Sequence, residues 1–313
     1  MQAYLLHKAG GIDNLILSDI DKPTPKANEV LIAVKAISIN PVDVKIREMP
    51  KLLDQVYGID RPLILGWDIA GVVTEVGSEV SDFKTGDKVF GLVNFPGHGN
   101  AYAEYVAAPA EHLVKIPKDT SFAEAAATTL AALTALQVLE PRIKAGDKVL
   151  IHAGSGGVGH FAVQIAKDLG AYVISTSSAE NRDFVLSLGA DEHIDYKNQD
   201  FEELVSDLDF VLDAIGGEVL EKSLRVTKDG KSIISLPTPE FSDKAKTYAK
   251  QHNIDVAFFN VTSNGEDMHT LKAMIENGTL KPHVFKTFTF AHLPDAHRQV
   301  ESNRTVGKVI VEV

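Results

Sequence analysis

A glycine-rich segment has the residue types and spacing of a dinucleotide-binding turn. It satisfies the pattern G-x-G-x-x-G, the strand-like run KVLIHA precedes it, and a helical run follows it. In such a turn one glycine permits the tight bend, one lets the backbone approach a pyrophosphate, and one lets helix and strand pack closely. The helix N-terminus then offers unpaired N–H groups and a partial positive charge to the phosphates. The predicted cofactor-binding residues of this turn are Gly154, Ser155, Gly156, Gly157, Val158 and Gly159.

The position that distinguishes NAD sites from NADP sites carries serine. In an NAD site a carboxylate about 20 residues beyond the glycine turn binds the ribose hydroxyls. Here the second strand ends in Ser177 and Ser178. A carboxylate would repel a 2′-phosphate, whereas hydroxyls can donate to it and the nearby Arg182 can pair with it. The sequence therefore predicts NADPH as the cofactor.

The elements that must position these residues divide the chain into two regions. Before residue 121 the sequence has short β-like runs broken by Gly, Pro and Asn, with one short helix predicted near 41–47 and loops at 47–62 and 94–101. One helix is predicted after Ser121, because Ser121 and Glu124 have the spacing of a capping box. From Asp147 strands alternate with helical segments, which predicts a doubly wound parallel sheet and an α/β fold class. The strand-like runs VFKTFTF and GKVIVEV end the chain. The predicted domains are a β-rich domain at 1–122 plus 280–313 and a dinucleotide-binding domain at 123–279.

Composition and charge disfavour several classes of function. The 313 residues carry a formal net charge of −12, which argues against nucleic acid and anionic membranes as general partners. The chain has no cysteine, so disulfides, thiolate zinc sites and cysteine nucleophiles are ruled out. No run of about 18 apolar residues occurs, and the first residues lack a signal-peptide pattern. We expect a cytoplasmic protein that acts on a small molecule, with no metal, nucleic-acid or membrane partner.

Several segments resemble the medium-chain dehydrogenase/reductase superfamily, and the resemblance covers essentially the whole chain. AGSGGVG, LGADEHIDY and GKVIVEV carry the general likeness. SINPVDVKIR, GWDIAGVVTEVGSEV and FKTGDKVFG are similar to its zinc-free quinone oxidoreductase branch, which includes 2-alkenal and enone reductases. Where zinc alcohol dehydrogenases have a ligand Cys and a Gly-His-Glu segment, this chain has Asn40 and Gly66-Trp67-Asp68. The resemblance implies a Rossmann domain beside a GroES-like catalytic domain, a homodimer, and hydride transfer without zinc.

The resemblance also implies roles for individual residues. Arg182 falls where NADPH-specific members place a basic residue on the 2′-phosphate, and Tyr196 matches a tyrosine near the same group. Further residues implied at the cofactor are Thr134, Asn303, Gly307 and Lys308. The candidate catalytic residues are Asn40, Asp43, Lys45 and Tyr57. Each of these four also has a structural interpretation, respectively as a turn residue, a helix cap, a solvated lysine and part of a pocket wall.

The chemistry that these residues would support is reduction of a conjugated acceptor. Such a reaction needs the cofactor aligned with the electrophilic carbon and a hydrogen-bond donor near the acceptor oxygen. We favour an NADPH-dependent reductase of quinones or of the C=C bond of α,β-unsaturated carbonyl compounds. The alternative is a catalytically weak NADPH-binding sensor or structural protein of the same fold. The missing ligands disfavour a zinc alcohol dehydrogenase, while reduction of an enoyl thioester stays open, as does the identity of the proton donor.

Overall fold

The computed structural model describes residues 1–313, which form two compact units. The first unit contains Met1–Leu133 and Val261–Val313, and the second contains Thr134–Asn260. The strands, in chain order, are β1 (Gln2–Leu6), β2 (Leu15–Asp19), β3 (Glu29–Ile39), β4 (Leu63–Ile64), β5 (Asp68–Val76), β6 (Lys88–Leu92), β7 (Tyr105–Pro109), β8 (Leu113–Lys115), β9 (Lys148–Ile151), β10 (Tyr172–Ser177), β11 (Glu192–Asp195), β12 (Leu208–Asp213), β13 (Thr227–Ser235), β14 (Asp255–Phe258), β15 (Val284–Thr289) and β16 (Lys308–Glu312).

The helices are short, and none is long and apolar enough to cross a membrane. In chain order they are α1 (Pro41–Glu48), α2 (Pro50–Tyr57), α3 (Phe122–Ala127), α4 (Leu130–Leu139), α5 (Gly159–Asp168), α6 (Arg182–Ser187), α7 (Phe201–Leu204), α8 (Glu218–Val226), α9 (Asp243–Gln251), α10 (Gly265–Glu276) and α11 (Leu293–Glu301).

Two sheets form the first unit. A three-stranded antiparallel sheet has the order β2-β1-β4, and a larger sheet has the order β15-β16-β3-β5-β6-β8, with β7 also paired to β3. The long strand β3 lies at the centre because its run of β-branched and small apolar residues is buried along almost its whole length. The two C-terminal strands complete this sheet, since β16 pairs antiparallel with β3 and parallel with β15.

The second unit is a parallel six-stranded sheet with the order β11-β10-β9-β12-β13-β14. The strand order runs outward in both directions from β9, so the turn after β9 lies at the topological switch point where such sheets bind ligands. Leu150, Ile174, Val211 and Ile233, one from each of four neighbouring strands, are buried in one apolar cluster. The predicted α/β class is confirmed, with a doubly wound parallel sheet in the second unit and a β-rich first unit.

The structure differs from the sequence-based prediction in two stretches. The stretch around 47–62, predicted as a loop, contains helix α2, which begins at Pro50 and buries Leu53 and Tyr57. The single helix predicted after Ser121 is two helices, α3 and α4. The predicted capping box is present, since the Ser121 hydroxyl accepts from the Glu124 N–H at 3.2 Å.

The predicted domain boundaries lay near residues 122 and 280, whereas both α3 and α10 pack within the first unit. Helix α3 buries its alanines against β3 and β5. Helix α10 begins at Gly265, and the Cβ of any other residue there would lie 2.1 Å from the Glu111 carbonyl oxygen. Close packing of this kind depends on partners distant in sequence, which a change of local pattern does not reveal.

Candidate active site

The glycine turn joins β9 to α5 in the second unit. Ala153 begins it in the left-handed region with a φ of 56°, and its N–H donates to the Thr176 hydroxyl at 3.3 Å. A Cβ on Gly154 would lie 1.9 Å from the Ser175 hydroxyl oxygen, and a Cβ on Gly159 would lie 2.1 Å from the Ala153 carbonyl oxygen. The packing of the turn itself therefore requires these two glycines.

The middle of the turn is more open. A Cβ on Gly156 would have its nearest contact at 3.2 Å, to the Ala153 carbonyl oxygen, and none of its close contacts would come from outside the turn. Helix α5 begins at Gly159, so its first turn presents backbone N–H groups and a partial positive charge there. A turn that is closed toward the sheet and open at Gly156 fits the pyrophosphate of a dinucleotide.

His152 directly follows β9 and links the start of this turn to β10 and α8 by hydrogen bonds. Its Nδ1 lies 3.1 Å from the Thr176 hydroxyl, and its Nε2 lies 2.9 Å from the Ser223 hydroxyl on α8. Burial lowers the pKa of His152 to about 4, against an opposing effect of Asp213. The imidazole is therefore neutral at neutral pH and ties the turn to α8 without a charge.

The end of β10 carries the residues predicted to select the cofactor. Ser177 and Ser178 are buried. The Ser177 hydroxyl lies 2.7 Å from His193 Nε2 on β11. The Asn181 amide donates at 3.2 Å both to Ser178 Oγ and to Ser155 Oγ, so it links this position to the glycine turn.

Two exposed side chains border the same position. Arg182 begins α6 with 60% of its side chain exposed, and its Nη1 lies 3.2 Å from the adjacent Asp183 carboxylate. Tyr196 is 61% exposed, and its backbone N–H donates to the Ser177 carbonyl oxygen at 3.2 Å. Ser177, Arg182 and Tyr196 therefore lie at or just after the ends of β10 and β11, and no carboxylate occupies the serine position.

A buried polar cluster lies in the first unit at one end of three adjacent strands. Asn40 follows the end of β3, and Asp68 and Lys308 begin the antiparallel neighbours β5 and β16, so the pairing of the strands brings all three together. The Asn40 amide donates to Asp68 Oδ2 at 2.8 Å, and the Lys308 ammonium donates to Asn40 Oδ1. The Asn40 backbone N–H donates to Asp43 Oδ2 at 2.7 Å, which completes a capping box at the start of α1.

Burial controls the charges of this cluster. Lys308 is 3% exposed, and Asn40, Asp43 and Asp68 are fully buried. Burial, together with the Asp68 charge, raises the pKa of Asp43 to about 7. Burial also raises the pKa of Asp68, opposed by Lys308, and lowers the pKa of Lys308, opposed by the two carboxylates. We interpret Lys308 and Asp68 as the charged pair and Asp43 as the carboxyl that gains or loses a proton near neutral pH.

Tyr57 and Asp43 each carry a buried polar atom that lacks a hydrogen-bond partner. These atoms are the Tyr57 hydroxyl oxygen and Asp43 Oδ1. Burial, and then the Asp43 charge, raises the pKa of Tyr57 well above its ordinary value, so its hydroxyl stays protonated. The Tyr57 ring packs against Trp67 and His98, with centroids 5.5 and 5.1 Å away. A protonated acid and a phenol with unused hydrogen-bonding capacity can donate to a developing oxyanion.

A second buried chain of hydrogen bonds joins α1 to α11. The Arg47 guanidinium lies 3.3 Å from His297 Nδ1, and His297 Nε2 lies 2.8 Å from the Tyr102 hydroxyl. Because arginine can only donate, His297 accepts at Nδ1 and donates from Nε2 to Tyr102. Burial, and then the Arg47 charge, lowers the pKa of His297 to about 3, which keeps the ring neutral. Arg47 also lies 2.6 Å from Glu301 on α11.

The remaining predicted residues make none of the hydrogen bonds described above. Lys45 is on the exposed side of α1, Thr134 is buried in α4, and Asn303 is exposed with a φ of 55°. Gly307 has a φ of 71°, and a Cβ there would lie 2.3 Å from the His283 carbonyl oxygen. Gly307 thus has a local packing role. The predicted contacts of Thr134, Asn303, Gly307 and Lys308 with a cofactor stay predictions.

Sequence reasoning missed several residues that shape these sites. A charged residue at the start of an apolar strand is a usable signal, and Asp68 in GWDIAGVV provides it. Histidines that the structure buries beside the predicted turn and helices gave no such signal, because a lone histidine matches no motif. The residues missed are Arg47, Asp68, Tyr102, His152, His193 and His297.

Asn40 and Trp67, which the resemblance assigns to zinc-ligand positions, are engaged in hydrogen bonds within the first unit. Trp67 donates its indole N–H to the Gly97 carbonyl oxygen at 2.7 Å, and Asn40 is engaged with Asp68 and Lys308. An indole N–H is a donor and cannot bind a metal. The structure contains no group of three or more His, Cys, Asp or Glu side chains arranged to hold a metal ion.

Known protein families match both parts of the chain. Residues 26–118 match the alcohol dehydrogenase GroES-like domain, and residues 188–311 match the zinc-binding dehydrogenase family. The chain is 36% identical to the NADPH-dependent alkenal/one oxidoreductase of Arabidopsis thaliana, with 99% of this chain and 79% of that protein covered. It is also 36% identical to the chloroplast envelope quinone oxidoreductase homolog of the same plant, with 97% of this chain and 95% of that protein covered.

Solved structures of similar proteins superpose on the whole chain. The quinone oxidoreductase from Coxiella burnetii superposes with a TM-score of 0.93 at 36% identity, with 100% of this chain and 99% of that chain covered. A mycobacterial protein complexed with NADPH superposes with a TM-score of 0.87 at 28% identity, with both chains covered completely.

Proposed function

The chain belongs to the medium-chain dehydrogenase/reductase superfamily, in its zinc-free quinone oxidoreductase branch. We propose that it is an NADPH-dependent oxidoreductase that reduces a quinone or the C=C bond of an α,β-unsaturated carbonyl compound. The observation that carries this proposal is a glycine turn combined with Ser177, Arg182 and Tyr196 at the position where NAD sites carry an acid. The names of the relatives support the same cofactor and acceptors.

The second unit would hold the cofactor. The backbone around Gly156 and the start of α5 would bind the pyrophosphate, and Arg182 and Tyr196 would bind the 2′-phosphate. When bound, NADPH supplies the hydride. The residues of the chain bind and orient the reactants and provide the proton that completes the reduction.

Replacing Arg182 with glutamate should weaken NADPH binding about thirtyfold, because a charge-assisted hydrogen bond is lost and a like charge is added beside the phosphate. NADH lacks that phosphate, so its dissociation constant should stay close to the wild-type value. Titration of the cofactor fluorescence measures both constants. Arg225→Glu is the matched control, since Arg225 is half-exposed in the same unit and pairs with Glu202. Equal weakening of NADPH and NADH by Arg182→Glu would remove Arg182 from the 2′-phosphate site.

The first unit would provide the proton. We propose that Asp43 holds it at Oδ1, the oxygen without a hydrogen-bond partner. A pKa of about 7 lets this carboxyl both hold and release a proton near neutral pH. The Lys308–Asp68 pair and Asn40 fix the position of Asp43 through the capping contact at the start of α1. Tyr57, whose hydroxyl also lacks a partner, is the second proposed donor, and Lys45 keeps its predicted role as a contact for substrate or phosphate.

An acceptor panel tests the function directly. NADPH absorbance is followed with a series of quinones beside a series of enones and alkenals, and NADH replaces NADPH in a parallel set. We expect turnover on at least one series within the usual enzymatic range of about 1–10³ s⁻¹, and slower turnover with NADH. Tight NADPH binding with no turnover on either series would refute the reductase and favour the NADPH-binding sensor. A single turnover of bound NADPH by any acceptor separates a weak enzyme from a sensor.

We also propose that the protein is a homodimer. A homodimer formed through sheet edges is consistent with β14, an edge strand of the parallel sheet on which Phe258 is exposed. Light scattering of the purified protein measures the mass, and a monomer at micromolar concentration would refute the dimer. The cytoplasmic location stays a prediction from the sequence, and the spinach quinone-oxidoreductase homolog, for comparison, is named as chloroplastic.

A further inference from the structure

His193 is a titratable side chain in direct contact with the cofactor-selecting position. It lies half-buried on β11, and its Nε2 is 2.7 Å from the Ser177 hydroxyl oxygen. In the parallel pairing of β10 with β11, Ser175 lies opposite His193 and Ser177 lies opposite Asp195. The imidazole thus reaches along the sheet to the serine that replaces the carboxylate of NAD sites.

The charged groups around His193 have opposite effects on its pKa. Burial, and then the Arg182 charge, lowers the pKa of His193, while the Asp195 carboxylate raises it. Asp195 also accepts from the Ala179 N–H at 3.1 Å and from the Asn198 amide, and Asp183 lies beside Arg182. The net effect is a neutral imidazole at neutral pH when no anion is present. An added dianion beside Arg182 and His193 would reverse the balance, because it offsets the Arg182 charge.

The hydrogen bonds around Ser177 permit both charge states of His193. Ser177 Oγ lies 3.2 Å from the Ser178 carbonyl oxygen as well as 2.7 Å from His193 Nε2. With a neutral ring, the hydroxyl can donate to Nε2. With a protonated ring, Nε2–H donates to Ser177 Oγ and the hydroxyl donates to the Ser178 carbonyl. Protonation therefore keeps the hydrogen bond between Ser177 and His193. In the protonated ring Nδ1–H is a second charged donor, which a phosphate oxygen can accept.

We propose that His193 is a second cationic recognition group for the 2′-phosphate and that it takes up a proton when NADPH binds. This inference rests on the proposed NADPH dependence. Arg182 then supplies the permanent charge and His193 the charge that forms on binding. Selectivity for NADPH over NADH consequently depends on pH.

The sign of the effect follows from linkage. Because NADPH raises the pKa of His193, NADPH binds more tightly at lower pH and loses this advantage as pH rises through the pKa of the complex. NADH has no 2′-phosphate and gains nothing from the protonated ring. The 2′-phosphate itself protonates with a pKa of about 6, which weakens binding at lower pH, so the measurements belong above that value.

The test is isothermal titration of NADPH into the full chain at about pH 7, in two buffers with different ionisation enthalpies. The difference in heat gives the number of protons taken up. We expect net uptake by the wild type and none by His193→Gln. At about pH 6.5 the variant should bind NADPH about tenfold more weakly than the wild type, with the difference shrinking at higher pH. His252→Gln is the matched control, because His252 is a partly exposed histidine of the same unit paired with Asp229.

The outcomes separate this inference from the function on which it rests. A wild type that binds NADPH no better than NADH contradicts the proposed cofactor dependence. A wild type that prefers NADPH but takes up no proton overturns the role of His193 without any variant. Proton uptake that persists in His193→Gln also overturns it. NADH binding by His193→Gln at the wild-type level shows that the cofactor unit is folded.

Discussion

Asp43→Asn should lower kcat for the best acceptor about a hundredfold, because a general acid typically contributes at least this much. In the wild type the carboxyl is protonated below its pKa of about 7, so kcat should fall as pH rises through that value. Asparagine does not ionise, so the rate of the variant should lose this dependence. A pH profile of kcat under saturating NADPH and acceptor makes the measurement.

Two features make this variant interpretable. Asparagine can still accept the Asn40 N–H, so the capping contact of α1 is preserved. Asp87→Asn is the matched control, since Asp87 lies in the same unit in a partly exposed pair with Lys115. NADPH binding to both variants should match the wild type, because neither Asp43 nor Asp87 is a predicted cofactor residue and the glycine turn lies in the second unit. If Asp43→Asn keeps both the rate and the titration, Asp43 does not supply the proton.

Lys308→Met should lower the free energy of unfolding of the first unit by about 3–5 kcal/mol, the cost of leaving a buried charge without its partner. The ammonium lies 4.0 Å from Asp68 Oδ2 and donates to Asn40 Oδ1, and all three residues are buried. Urea unfolding followed by Trp67 fluorescence reports this unit, because Trp67 is the only tryptophan of the chain and is fully buried there.

The control and a second variant exclude a general effect of removing a lysine. Lys115→Met breaks the exposed pair with Asp87 in the same unit and should cost no more than about 1 kcal/mol. Adding Asp68→Asn to Lys308→Met should recover part of the loss, because the unpaired carboxylate is then removed as well. A loss of less than about 1 kcal/mol in Lys308→Met would mean that Lys308 is not the buried counter-charge described here.

The local patterns of the sequence were sufficient for much of the fold. The glycine turn, the alternation of strands and helices after Asp147 and the Ser121–Glu124 capping box could all be predicted, because each depends on residues close together in sequence. Helix α2 was missed even though Pro50 begins it and Leu53 and Tyr57 recur at helical spacing. The segment is short and lies between β-like runs, so the local pattern by itself favours a loop there.

Lys308 and Gly307 were predicted as cofactor-binding residues, and the structure shows that each also has a structural role in the first unit. Lys308 was predicted at the cofactor, and its ammonium contacts Asn40, which lies far away in the sequence. Its neighbour Gly307 is required by a close approach to the His283 carbonyl oxygen. Neither contact follows from spacing, because both depend on the pairing of the last strand with β3 and β15.

The sequence alone determined the chemistry that local residue types dictate: a G-x-G-x-x-G turn between a strand and a helix, and the absence of a carboxylate at Ser177. Tertiary structure decided the protonation states of the buried ionisable side chains. Whether Asp43 holds a proton, Lys308 stays charged or His297 is neutral depends on burial and on partners contributed by distant strands and helices. Desolvation and Coulomb energies depend on distance in space, and for these groups the pairing of β3, β5 and β16 and the packing of α1 and α11 set those distances.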